Sequence, residues 1–267
     1  MAMHTLRVFL TIVKHLYRAK FEYPGSFIGG IIAQWFSYGI SMVMLVLMVW
    51  NFGALAGWQP VEVLFMYAVW LLAYALGASF TFNMTRSFPQ MAISGTLDES
   101  YTRPVPPFLY LMATHFNVGY ISHIILTTAA LGFSIVQLGI SWTVLQWLWL
   151  VVIIVCGAII SGCLMLIFEM PGIRTRSTSP TGMFYWQSWN FIQYPITIYP
   201  RAIVLVFTTV LPFGFMSFYP IQVLLGKEDG IAPRITMWLS PVVAVLLIGV
   251  TALCWRILSS KYESAGT

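Results

Sequence analysis

The sequence predicts an all-α membrane protein of six transmembrane helices. It adds an N-terminal amphipathic interfacial helix, a short cytoplasmic helix between spans 2 and 3, and a re-entrant half-helix hairpin before the last span. Three observations carry this. Of 267 residues, 59% are hydrophobic and 8% are charged, whereas soluble domains are about a quarter charged and under half apolar. The apolar residues gather in runs long enough to cross a bilayer, which takes about 20 residues each. The Lys and Arg residues alternate between connectors, as positive-inside loops do. A water-soluble globule cannot hide so much apolar surface, so the soluble enzyme classes are excluded. Six spans with short loops leave no room for a separate catalytic domain, and the chain reads as one membrane domain. Aromatics make up 16%, with 11 Trp, which suits a protein anchored at two membrane interfaces.

Taken in order, residues 4–23 place Leu6, Phe9, Leu10, Val13, Leu16, Tyr17 and Phe21 at three–four spacing, with Arg7, Thr11, Lys14 and Arg18 opposite. Such a basic amphipathic helix lies along an anionic leaflet, or is simply a leader obeying the positive-inside rule. Either way the N-terminus is cytoplasmic. The net charge of +5 thus matters less than its placement. No cleavable signal peptide is expected, because no small-residue cleavage site precedes the first long run. Cys156, Cys163 and Cys254 all fall in apolar runs and read as small core residues rather than a disulfide or zinc set.

Five spans are expected at about Ser26–Trp50, Val61–Phe82, Phe108–Gln137, Thr143–Phe168 and Trp238–Leu258. Between Met183 and Leu225 the apolar run is broken by Pro195, Pro200, Pro212 and Pro220. Connectors 51–60 and 139–142 carry no Lys or Arg, while 85–107 carries Arg86 and Arg103, 169–181 carries Arg174 and Arg176, and the tail carries Arg256 and Lys261. An even number of crossings keeps that tail inside with the N-terminus. The broken stretch therefore reads as one span near Met183–Tyr199 followed by a hairpin over 200–225, built of half-helices around Arg201–Val210 and Phe213–Leu225. Prolines are permitted there if protein or water satisfies the freed carbonyls. The loop Gly226–Arg234 is then external, with Glu228 and Asp229 offsetting Lys227 and Arg234.

No phosphate loop, HExxH or paired-cysteine spacing is present, so no catalytic residue, metal ligand or cofactor site is assigned to this chain. The connector 85–107 is the most informative polar stretch. Pro89 should stop the preceding span, Ser94-Gly95 can turn the chain, and Thr96 or Asp98 can cap a short helix that ends at Arg103-Pro104. It reads either as a helix that docks on a soluble partner or as an ordinary linker. His115 and His123 lie eight residues apart within the third span, near Gly119 and Thr127. Hydrogen bonding inside the bundle and a proton relay are both open to them. Gly25-x-x-x-Gly29 could admit a close neighbouring helix. Arg201 either attracts an anionic head group or snorkels to the outer interface. Glu169, at a span end, should be solvated and idle.

Two stretches carry a resemblance. Gly95-Thr96-Leu97-Asp98 with Arg103-Pro104 is similar to the "G-x-L-D…RP" connector of the type-2 ABC exporter permeases. Tyr194-Pro195, Tyr199-Pro200-Arg201, Leu211-Pro212-Phe213-Gly214-Phe215, Phe218-Tyr219-Pro220 and Leu224-Leu225-Gly226 resemble that family's "YP…lPfaf…yyP…llG" block, with Ser217 where an Asn is expected. The chain resembles the short six-span members without a fused ATPase. The resemblance implies a coupling helix seated in a separate ATP-binding subunit. It makes Gly95, Leu97, Asp98, Arg103 and Pro104 coupling residues, with Leu97 inserting into the partner's cleft. Tyr194, Pro195, Tyr199, Arg201, Pro212 and Pro220 become residues of an outer gate or translocation path. It implies two ATPase subunits carrying ATP and Mg, a second permease subunit (a homologue or a copy of this chain), and outward transport across a prokaryotic plasma (inner) membrane. Nucleic acid has no part. An aromatic, weakly charged interior points to an amphipathic or lipid-like cargo. A proton-coupled secondary transporter using His115 and His123 is the alternative.

Overall fold

The computed structural model describes residues 2–227 and 234–260. Glu228, Asp229 and Lys261, which entered the charge reading of the outer loop and the tail, lie outside the described residues. Helices are the only regular elements among the described residues: α1 (Ala2–Phe21), α2 (Pro24–Phe52), α3 (Pro60–Ser94), α4 (Thr96–Tyr101), α5 (Pro107–Thr114), α6 (Ile121–Gln137), α7 (Val144–Glu169), α8 (Pro171–Thr175), α9 (Pro180–Ile192), α10 (Arg201–Thr209), α11 (Phe218–Leu225) and α12 (Ser240–Ser260). Five stretches are long and apolar enough to cross a membrane, or six if the bent pair 201–225 is counted as one span.

Local chemistry sets the starts. Pro24, Pro60, Pro107, Pro171 and Pro180 each open a helix, where a missing N–H costs nothing and φ is preset. Gln59 with Glu62, and Thr143 with Gln146, form reciprocal capping boxes at α3 and α7.

Helix α3 is the axis of the bundle. Residues 63–75 are buried without interruption, a run no amphipathic helix could carry. It packs along α7 through small residues. A Cβ on Gly77 would meet the Ala158 carbonyl oxygen at 2.3 Å, and one on Gly157 would meet Ala73 Cβ at 2.8 Å. Thr81 reaches Met165 Sδ at 3.4 Å. Because Ala73, Gly77 and Thr81 pair with residues rising in the same order on α7, the two helices run parallel. Trp149 stacks near Trp238 at 4.7 Å, and Trp255 and Leu258 pack beside Leu166 and Met170, so α12 runs the same way. Helix α6 opposes α3: Phe65 meets Trp142 and Tyr74 meets Tyr120. The start of α2 and the end of α12 therefore lie at the same end of the bundle, the end that holds α4.

Three expectations change. Pro89 does not end the second span; α3 runs on to Ser94 with Pro89 inside it. Phe88, Met91 and Ala92 are buried against α8 and its surroundings, and that packing outweighs the lost hydrogen bond. The third span is not one helix over Phe108–Gln137. It breaks at 115–117, between α5 and a 3-10 turn at Val118–Tyr120. Asn117 holds the break: its N–H donates to Ser79 O at 2.7 Å, its amide to Asn83 Oδ1 at 3.2 Å, and its Oδ1 accepts from Gly119 N at 2.9 Å. Finally, nothing lies within 4 Å of where Gly25 or Gly29 would carry a Cβ, so the close helix approach belongs to Gly77, Gly157 and Gly162 instead.

Helix α1 packs across the end of this bundle. Phe9 stacks on Phe80 at 6.3 Å and Tyr17 tilts on Phe116 at 6.2 Å. Leu6 and Leu10 of its apolar stripe remain exposed.

Candidate functional site

Two places gather the residues singled out above. The first is α4. Gly95 closes α3 and opens α4 with φ 72°, a left-handed conformation that a side chain resists. The sharp turn therefore needs glycine. Arg103 pairs with Glu99 one turn back and lies over the Tyr110 ring at 5.6 Å. The hydrogen bond to Glu99 raises the guanidinium pKa above its ordinary value, so the charge is fixed. Glu99, Tyr101, Thr102, Arg103 and Pro104 are exposed and Asp98 is half-buried.

Leu97 is different. It is 1% exposed and sits among Met84, Phe88, Leu111, Leu166 and Ile173. The expected insertion of Leu97 into a partner's cleft is overturned by this burial. The side chain faces its own bundle, because Leu97 is the one aliphatic residue of α4 and the elements it packs against are α3 and α5. Leu97 is the anchor that holds α4 in place, and the polar residues beside it form the outward face.

The second place is the broken segment. The span expected near Met183–Tyr199 is not one spanning helix: α9 has 13 residues and ends at Ile192, and its length of about 20 Å falls short of the hydrocarbon thickness of about 30 Å. A 3-10 turn at Ile196–Ile198 follows buried Pro195, then Pro200 precedes α10. Arg201 opens α10 and is exposed, while Tyr194 and Tyr199 are half-buried. The Tyr199 hydroxyl donates to Phe191 O at 2.9 Å. Helices α10 and 213–225 meet at 71°.

The turn between them is wholly buried from Leu211 to Pro220. Pro212 sits at φ −70°, ψ 49° with Phe213 N–H donating to Leu211 O, an inverse γ-turn. Pro220 falls in the first turn of α11, where its missing N–H is tolerated. Buried irregular backbone needs partners, and one of its carbonyls takes a side-chain donor. Ser240 Oγ donates to Phe215 O at 2.9 Å, and the Thr208 and Tyr219 hydroxyls share a 2.6 Å hydrogen bond. Gly157 lets the Met216 carbonyl approach the middle of α7. Past α11, Lys227 Nζ donates to Gly57 O at 2.7 Å, pairs with Glu62, and lies 4.9 Å from the Trp58 ring centroid. This ties the turn's exit to the α2–α3 loop.

The histidines do not come together as one face of one helix, because the chain breaks between them. His115 caps α5, its Nδ1 3.0 Å from Leu111 O. His123 lies between the rings of Tyr38 and Tyr120, at 4.3 and 5.0 Å. A further residue escaped sequence reasoning. Glu169 is only 6% exposed, not solvated; it accepts from Trp186 Nε1 at 2.8 Å and fits because Gly182 has no Cβ to block it. Arg86 lies over the same Trp186 ring at 5.3 Å. Nothing local in the sequence pairs Glu169 with a tryptophan 17 residues on.

Several long apolar helices around a buried, proline-bent segment define a multi-pass membrane protein. The model of the ABC-2 family transporter proteins matches residues 35–266, and the chain belongs to that family. It is therefore a membrane transporter component, a permease whose family works with an ABC ATPase subunit. No curated protein and no solved structure matches it.

Proposed function

We propose that this chain is a single transmembrane domain that serves as the permease subunit of an ABC exporter in a prokaryotic plasma membrane. It moves an amphipathic or lipid-like substrate outward with ATP and Mg bound and hydrolysed on two copies of a separate subunit. A second permease, homologous or identical, completes the complex. The observation that carries the reading is α4: a glycine-hinged helix, anchored by Leu97, that turns Glu99 and Tyr101 away from the bundle with Asp98 half-buried beside them. In this reading the α4 end is cytoplasmic, and the pair α10 and α11 is a re-entrant hairpin lying across the outer half of the path. The buried turn at 211–220 supports such a gate, since two half-helices can swing about it without exposing backbone to lipid. Tyr194, Pro195, Tyr199, Arg201, Pro212 and Pro220 are then gate residues. The separation of His115 from His123 disfavours the proton-coupled alternative.

The test is co-purification of the chain with its ATPase and measurement of transport per ATP hydrolysed in proteoliposomes. Glu99→Lys with Tyr101→Ala should weaken assembly or uncouple hydrolysis from transport while the membrane domain stays folded. Leu97→Ala should do so through loosening of α4, together with a lower melting temperature. Full assembly and coupling in both would reduce α4 to a linker and sink the proposal.

A further inference from the structure

Two cavities adjoin near the α4 end of the bundle. One, of about 610 Å³, lies between α3, α5, α7 and α12, and its walls include Leu76, Ala158, Ile248, Ala252 and Trp255. Its lining is almost entirely apolar. The Thr81 hydroxyl in its wall is already spent on Gly77 O at 3.1 Å. The other, of about 960 Å³, lies beneath the N-terminal half of α1, between Leu6, Phe9 and the connector that carries Arg103. Phe80 and Met112 line both. The two cavities thus adjoin, the first without a charged residue in its lining and the second with Arg103 in its wall. Leu6 also borders a smaller hollow with Arg7 and Lys14, and α1 carries no acidic residue at all.

We propose that this space binds one anionic glycerophospholipid of the inner leaflet. An acyl chain fills the cavity between α7 and α12, and the phosphate sits at Arg103. Three observations select that occupant. The deep cavity is open through the exposed Ala252 at bilayer depth, where acyl chains are the surrounding solvent. Its walls carry no charged group for a head group to pair with. Among the described residues that line the two cavities Arg103 is the one cation, and its guanidinium has five N–H donors, of which the Glu99 pair takes part. The occupant would wedge α1 and the α4–α5 connector against α12, so that lipid composition reaches the face proposed for coupling. The site rests on the α4 end facing the cytoplasm, and on no assumption that the chain exports anything. Labelling of the two faces, described below, tests that orientation separately.

The experiment uses the full chain in discs of mixed phosphatidylglycerol and phosphatidylcholine, with retained lipid counted by native mass spectrometry. The wild type should keep one phosphatidylglycerol in preference to phosphatidylcholine. Ala252→Trp, which fills the cavity from an exposed helix position, should lose it, whereas Leu253→Trp, one residue along and outside the cavity, should keep it. If Ala252→Trp does not fold, Ile248→Trp serves the same purpose. Arg103→Gln should lower the preference for the anionic lipid about fivefold, the weight of one cation at an anionic surface, and Arg103→Lys should largely restore it. Equal retention by wild type and the cavity-filling variants would overturn the proposal. So would a wild type without anionic preference, or a cavity-filling variant that changes the oligomeric state and not the lipid count, which would assign the groove to a second copy of this chain.

Discussion

At the scale of single residues, close packing is decided by glycines that are not interchangeable. Gly77 has backbone where its Cβ would go, the Ala158 oxygen at 2.3 Å, whereas Gly29 has open space. Gly77→Ala should therefore push α3 from α7 and cost about 1–3 kcal/mol, as overpacking does, and Gly29→Ala should be neutral or slightly stabilising through helix propensity. Thermal unfolding of the two variants in detergent checks this; equal melting temperatures would refute the assignment of the close contact. The signal was present in the sequence as Ala73-x3-Gly77-x3-Thr81 and Ala158-x3-Gly162, small residues one turn apart on two helices. The Gly25-x-x-x-Gly29 spacing is the same pattern on a helix that is mostly exposed in this chain, and no local cue tells the two apart. Leu97 shows the same limit. Its apolar character was legible, but which of two surfaces it would bury against depends on residues such as Leu166 and Ile173, some 70 positions away.

At the scale of elements, spans were legible wherever apolar runs are long and uninterrupted: α2, α7 and α12 fall close to their expected bounds. Breaks were read correctly where proline makes them, at 195–220, and missed where side-chain hydrogen bonds make them, at Asn117. Proline acts on its own residue and its neighbours, so its effect is local and visible. Asn117 acts through Asn83 and Ser79 on another helix. Pro89 errs the other way, since packing keeps α3 helical through it. The element most open to test is the exit of α11. Lys227→Met removes the pair with Glu62 and the bond to Gly57 O. At this partly exposed site the stability lost should be about 1 kcal/mol or less, but it should be local. Hydrogen exchange should rise over 55–62 and 218–227 and stay unchanged in the core of α3. Unchanged exchange at both segments would mean that the tie holds nothing.

For the whole molecule, parallel α3, α7 and α12 place the start of α2 and the end of α12 at one end of the bundle, in agreement with the parity inferred from charged connectors. Which end faces the cytoplasm is a matter of those charges. In a background with Cys156, Cys163 and Cys254 replaced by Ala, an impermeant thiol reagent should label Ser141→Cys on intact cells and Thr102→Cys only after permeabilisation. Both positions are exposed. The reverse pattern would invert the molecule and, with it, the proposed direction of transport and the leaflet of the lipid site. The family was legible from motif order, because the proline-rich block and the Gly95–Pro104 connector are short local patterns. The aromatic interior about Trp70, Tyr74 and Trp189 was legible only as composition, since its members come from separate helices.

The buried turn at 211–220 has a consequence for how the protein is made. Its stretch is irregular, and it is sheltered by α7 through Gly157 and by α12 through Ser240. A nascent chain that has not yet released α12 presents the Phe215 carbonyl to lipid with nothing to receive it. Insertion of 201–225 is then expected to finish only once α12 has joined it, with α12 as the closing step for this segment. A nonsense codon near Ser240 would then remove more than one helix. It would leave a half-inserted hairpin for membrane proteases to find, and the truncated protein should vanish from cells even though every earlier span is intact.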